Sequence, residues 1–223
     1  VFLCNLRIDK PLVYPSAETG REKEKEKRRQ RIMTTEQHPL GFFLPKNTQL
    51  LMLGSFPPPR TRWSMNFYYP NIQNDMWRIL GHIFFNNREY FLETKKTFSE
   101  AKAKAFCLNQ GIGIGDTAVE VIRLKNNASD NFLEVVRALD LNEILPQIPH
   151  CKALVVTGQK AMDTLLSVLP TTEEPKIGSF SHFTLENRIF RLYRMPSSSR
   201  AYPKPLEEKA TFYRSMFEDL GLI

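Results

Sequence analysis

The chain has 223 residues, a mass of 25.9 kDa, a net charge of +7 and a pI near 9.3. Its 42% hydrophobic content suffices for one packed domain. A mean hydropathy of −0.35 and the lack of any apolar run of about 18 residues exclude a membrane-spanning helix, and Cys4, Cys107 and Cys151 are too few for a disulfide framework or a four-thiolate iron–sulfur cluster.

Residues 1–32 hold nine Lys/Arg and five Asp/Glu, leaving only +3 of the charge for the remaining body. The stretch SAETGREKEKEKRRQRI has almost nothing apolar to bury, so a charged tail is expected over 1–32 and a single domain over 33–223. The first Met is Met33, so the tail is read either as solvated or non-native sequence or as a basic arm for nucleic acid. Strands are predicted over Thr48–Ser55, Ile112–Asp116 and Lys152–Thr157, and helices over Asn74–Phe85, Phe98–Leu108, Asp130–Ala138 and Gly158–Leu169. Phe183–Leu185 and Arg188–Arg194 are expected to form a hairpin around Glu186-Asn187, its second member entering the sheet. An amphipathic helix over Pro205–Leu220 closes the chain, with Leu206, Ala210, Tyr213, Phe217 and Leu220 on one stripe. Strands alternating with helices imply an α/β three-layer sandwich around a central, mostly parallel four-stranded sheet, with a site at the carboxyl ends of the strands.

The opening residues VFLCNLRIDK lack the pattern of a secretory signal, and with the cysteine usage this leads to a cytoplasmic expectation. His38, His82, His150 and His182 show no zinc-ligand spacing, and the neighbours His150 and Cys151 should point apart, so no metal and no other cofactor is expected. GIGIG at Gly111–Gly115 lacks the third glycine and the strand–turn–helix context of a dinucleotide site; it reads as a turn and a close-packed strand. MPSSS at Met195–Ser199 has no nucleophile-elbow context.

Two segments stand out: Gly54–Leu80 (GSFPPPRTRWSMNFYYPNIQNDMWRIL) and Met195–Pro203 (MPSSSRAYP), each following a predicted strand. Serine hydroxyls and exposed N–H groups hold phosphate, arginines add charge, and aromatic rings stack on unstacked bases. Two rigid proline turns over a core would look the same.

Together these segments resemble the uracil-DNA glycosylase superfamily. MPSSS looks like the second motif of the thymine-DNA and mismatch-uracil branches. Gly54, Ser55, Phe56, Pro57, Tyr68, Tyr69, Asn74 and Trp77 are similar to the hypoxanthine-DNA glycosylase pattern, as is GQKA at Gly158–Ala161, and the overall pattern looks like that of Bacteroidetes-type members. The resemblance implies a monofunctional, monomeric enzyme of a bacterial nucleoid that binds DNA containing a deaminated or mismatched base. It would flip that base (uracil, hypoxanthine or xanthine) out of the duplex and hydrolyse its N-glycosidic bond. It implies Asn74 as the residue that positions the water, with Asp116 able to assist. Gly54, Ser55, Phe56, Tyr69 and Thr157 would contact the base, and Arg60, Arg62, Lys160, Ser197, Ser198, Ser199 and Arg200 the DNA, with Arg200 as the wedge.

The chain departs from the family at several of these places. Phe56 stands where the thymine and mismatch-uracil branches carry a water-activating Asn, which moves that burden to Asn74. Pro58 replaces a Gly, Asn71-Ile72-Gln73 replaces HPR, and Thr157 replaces an Asn. A protein that binds damaged or single-stranded DNA without catalysis, and a hydrolase of another glycosidic or nucleotide substrate, therefore stay open. Asn74 discriminates: it either faces a pocket or only caps the helix that follows, and the two roles can coexist.

Overall fold

The computed structural model describes residues 35–125 and 129–223. The charged tail expected over 1–32 lies outside them.

The central sheet grows from short, fully buried apolar runs. Strands β2 (Leu50–Gly54), β5 (Ile112–Asp116) and β8 (Ala153–Thr157) have no exposed residue. A minor strand β1 (Glu36–Gln37) precedes β2, and a hairpin of β3 (Leu92–Thr94) and β4 (Thr97–Phe98) lies between β2 and β5. Strand β5 leads into β6 (Ala118–Arg123) and β7 (Leu133–Ala138). The last strands are β9 (Ser179–Leu185) and β10 (Arg188–Met195). The helices are α1 (Met76–Phe85), α2 (Glu100–Gln110), the single turn α3 (Leu141–Ile144), α4 (Gln159–Val168) and α5 (Leu206–Asp219).

The sheet has five strands in the order β5-β2-β8-β10-β9, not the expected four. The first four run parallel, and β9 adds an antiparallel edge. The expected turn creates this edge. Glu186 and Asn187 both take positive φ, 49° and 61°, and two such residues form a tight turn whose twist matches the flanking strands. The ladder then extends from Leu185↔Arg188 to Ser179↔Arg194.

Side-chain alternation divides the core into two layers. Leu50, Met52, Ala153, Val155, Tyr193 and Met195 face one side, where α1, α2 and α5 pack. Leu51, Leu53, Leu154, Val156, Phe190 and Leu192 face the other, against α3 and α4. Strands β2 and β8 therefore lie between two helical layers, which explains their unbroken apolar sequences. Within β5, a Cβ at Gly115 would lie 2.1 Å from the Phe42 ring, so the second half of GIGIG serves close packing.

The helix expected over Asp130–Ala138 is absent. A single turn, Asp130–Phe132, leads into β7, which pairs antiparallel with β6; β1 completes this small sheet on the other side of β6. The β-branched pair Val135-Val136 favours extended backbone. Leu133 and Val135, two residues apart, reach the same cluster as Phe56, Ala118 and Val121. Among the described residues, no helix is long and apolar enough to cross a membrane.

Candidate active site

A cleft of about 660 Å³ opens at the carboxyl ends of β2, β5, β8 and β10. Its lining includes Gly54, Ser55, Phe56, Arg62, Tyr69, Asn74, Asp116, Thr157, Ser197, Ser198, Ser199 and Arg200. These come from four separate stretches of chain, and the parallel strands bring them together because each strand delivers its following loop to the same edge.

Arg60 and Lys160 do not line the cleft. The Arg60 guanidinium lies 4.0 Å over the Trp63 ring and donates to Asn66 Oδ1 at 2.6 Å. Lys160 lies in the first turn of α4, and its charge favours the ionised form of Asp130.

Asn74 does two things. Its Oδ1 accepts from the Met76 backbone N–H at 2.9 Å, which satisfies the first N–H of α1 from one residue before the N-cap Asp75, and the residue also lines the cleft. Its backbone bridges to Ser199. Its amide nitrogen makes no bond to any described residue.

The serine loop is closed onto the segment before α1. Asp75 N–H donates to Ser198 O at 2.8 Å, and Arg200 N–H donates to Gln73 O at 3.3 Å. Ser197 Oγ accepts from Ser199 N–H, and Ser199 Oγ from Ala201 N–H, which still leaves both hydroxyl protons to donate. The Arg200 Nε donates to Asp75 Oδ1 at 2.8 Å, and its Nη1 to Gln73. The expected wedge is thus an anchor for this loop in the present conformation. Lys209, fully buried on α5, donates to Ser199 O at 2.7 Å and lies 3.9 Å from Asp75.

The opposite wall carries two carboxylates. Asp116, at the end of β5, is buried, and burial raises its carboxyl above the ordinary range; a hydrogen bond from His38, the His38 charge and the Gly54 N–H oppose that shift. Asp130 is raised by burial as well; the Ser55 hydroxyl, which donates to it at 2.9 Å, opposes the shift, and the Asp116 charge adds to it. A Cβ at Gly54 would lie 2.3 Å from Asp116 Oδ1, so glycine is required where β2 meets this carboxylate.

Tyr69 stands against the same floor. It holds φ at 51°, a strained conformation for a bulky residue of the kind that gathers at functional sites. Its hydroxyl lies 3.4 Å from Thr157 Oγ1, and Thr157 also donates to Leu53 O at 3.5 Å. Thr157 therefore braces Tyr69. Tyr68 also lines the cleft, its hydroxyl donating to Gly41 O, and Trp77 is fully buried, donating to Tyr68 O.

Sequence reasoning missed His38, whose Nε2 lies 2.8 Å from Asp116 Oδ2. No spacing could reveal a partner 78 positions away. It also missed Asp130 and Ser129 as cleft residues, because the segment read as the cap of a helix. Among the described residues, no cluster of three or more His, Cys, Asp or Glu could hold a metal ion.

The solution NMR structure of a "putative uracil DNA glycosylase" from Methanosarcina acetivorans matches this architecture with a TM-score of 0.56, covering 82% of this chain and 96% of that one. This chain shares that fold. The sequences are 20% identical, so the likeness is one of fold. No family model matches the chain, and no curated protein matches it in sequence.

Proposed function

We propose that this chain is a monofunctional DNA glycosylase of the uracil-DNA glycosylase superfamily, with the hypoxanthine and mismatch-specific branches as its nearest kin. Its substrate is a deaminated base in DNA: uracil, hypoxanthine or xanthine. The observation that carries this reading is the convergence of Asn74, Asp116, Tyr69 and the Ser197–Ser199 loop on one cleft of a uracil-DNA-glycosylase-like fold.

The chemistry follows from charge. Breaking the N-glycosidic bond leaves positive charge on the sugar and negative charge on the base. The base must leave the stack before the anomeric carbon can be reached. The serine loop and Arg62 hold the DNA backbone, and Tyr69 gives the extruded base a face to stack on. Asn74 positions the water that captures the sugar; a neutral amide needs no shifted pKa for this. Backbone N–H groups of Ser55 and Phe56 stabilise the departing base.

The test is strand cleavage of oligonucleotides carrying a single uracil, hypoxanthine, xanthine or mismatched thymine, with alkali added to break abasic sites. Cleavage by the wild type that is lost in Asn74→Ala, with DNA binding retained, supports the reading. Failure to cleave any substrate at enzyme excess, with DNA still bound, replaces it with damage binding without catalysis.

A further inference from the structure

We infer that His38 is a specificity-positioning residue: it holds Asp116 as an acceptor-only carboxylate in the base cleft, and this acceptor tells uracil from cytosine and hypoxanthine from adenine. The inference rests on the glycosylase reading and names how the same site recognises its substrate.

For cytosine and adenine, deamination changes one ring position in kind; guanine and xanthine both carry a proton at N1, so this acceptor does not separate them. Cytosine N3 and adenine N1 carry lone pairs and accept hydrogen bonds. In uracil and hypoxanthine the same nitrogens carry a proton and donate. A fixed acceptor facing that position is therefore favourable for the deaminated base, and it sets lone pair against lone pair for the parent. A protonated carboxyl would lose this discrimination, because its O–H can donate to cytosine N3 or adenine N1.

Asp116 is built to stay an acceptor. His38 Nδ1 faces both Leu40 N–H, at 3.2 Å, and Leu40 O; in the neutral ring with its proton on Nε2, facing Asp116, Leu40 N–H donates to Nδ1. In the charged ring Nδ1 donates instead to Leu40 O, at 2.5 Å, and Nε2–H keeps the same target. The imidazole is packed edge-on against Phe56 and stacked with Tyr68, and its side chain is only 8% exposed. With His38 on Oδ2 and Gly54 N–H holding the same carboxylate, lone pairs remain for a ligand. His38 itself does not line the cleft, so it acts through Asp116.

The other groups around this carboxylate are Tyr68 and Tyr69 from the loop before α1, both neutral because burial raises their hydroxyls, and Asp130 before β7. Arg123 and Lys160 lie beyond Asp130 and act on it. His38 is thus the basic side chain that works directly on Asp116. The carboxylate opposes negative charge on a leaving base, so its role is recognition.

The experiment measures equilibrium binding of duplexes containing one 2′-fluorinated uridine, cytidine, inosine or adenosine. The fluorine destabilises positive charge on the sugar and prevents cleavage. Titrations run from about pH 5.5 to about pH 8.5. The wild type is expected to prefer uracil over cytosine, and hypoxanthine over adenine, by about tenfold or more at the alkaline end, with the ratio shrinking as Asp116 gains its proton. His38→Ala should lower the ratio by about tenfold and move that loss to higher pH, because removing a donor favours the protonated carboxyl. His38→Gln, which still offers an N–H to Asp116, should restore the ratio at the alkaline end. Thermal melting shows whether each variant is folded.

An unchanged ratio and pH profile in folded His38→Ala overturns the inference, as does a wild type that binds parent and deaminated bases equally. If His38→Ala does not fold, His38→Gln at acid pH and Asp116→Asn decide: discrimination equal to wild type in both overturns the inference. Cleavage of unfluorinated duplexes is scored separately. Discrimination without cleavage sinks the glycosylase reading alone, and cleavage without discrimination sinks this inference alone.

Discussion

The two walls of the cleft both bury a carboxylate but surround it differently. On the serine-loop wall, Asp75 has three cations around it: Arg200 at 2.8 Å, Arg78 at 3.8 Å and Lys209 at 3.9 Å. On the opposite wall, Asp116 has one histidine and Asp130 one serine hydroxyl. A carboxylate enclosed by cations holds chain segments together and has little left for a ligand. A carboxylate held by a single side-chain donor and open on one side keeps acceptor capacity toward the cleft, and bears the desolvation that raises its pKa. The first arrangement makes a scaffold, the second a recognition surface.

The largest expected effect breaks the scaffold wall. Asp75→Ala leaves Lys209, 1% exposed, without its counter-charge and should cost about 3–5 kcal/mol of stability, read by urea unfolding. Burial already pulls the Lys209 amine below its ordinary value, with Arg200 adding to the effect and Asp75 opposing it. A loss under about 1 kcal/mol would mean that this wall does not depend on the network.

Asn74 lines the cleft and bridges by its backbone to Ser199 of the scaffold wall. Asn74→Ala should slow base excision about 10²- to 10³-fold in single-turnover assays, and should cost only about 1 kcal/mol through the lost bond to Met76 N–H. Asn74→Asp keeps an acceptor for Met76 N–H and should recover the stability without the rate. A variant that loses stability and keeps its rate would assign Asn74 to the scaffold alone.

The recognition wall can be read by pH. Because burial raises Asp116 above the ordinary 3.8, the folded protein keeps this proton where the unfolded chain has released it. Stability therefore falls as pH rises from about 4 through the raised value. Asp116→Asn removes that dependence, so the wild type should gain on the variant as pH is lowered from neutral toward about 4 in paired thermal melts. Parallel curves would show that Asp116 is not strained by burial.

The smallest effect sits at the rim. Arg62 is exposed and lines the cleft, so Arg62→Ala should reduce the salt slope of DNA affinity by about one unit. Arg60→Ala should change it less, because that guanidinium already stacks on Trp63. Equal slopes for both variants would remove Arg62 from the DNA surface.

Much of this was legible in the sequence for local reasons. Short apolar runs such as LLML and ALVV, each followed within a few residues by a glycine, read as strands buried on both faces, and Glu186-Asn187 between alternating residues marks a hairpin. The polar ends of those strands, rich in Pro, Ser and Arg, marked both cleft loops before any contact was known. The segment from Asp130 to Ala138 was misread because its pattern fits a short helix as well as a strand. Only the partner β6 and the Phe56 cluster decide between them.

By itself, the sequence determined the alternating strands and helices, the two loops that face DNA in this reading, and Asn74 as the residue to test. Those depend on periodicity and on residue chemistry within a few positions. The tertiary structure alone decided the fifth strand's full pairing, the anchoring of Arg200 by Asp75, and the meeting of His38 with Asp116. Such contacts join residues tens of positions apart through the folding of the sheet, and nothing in the local spacing of a histidine says which carboxylate it will meet.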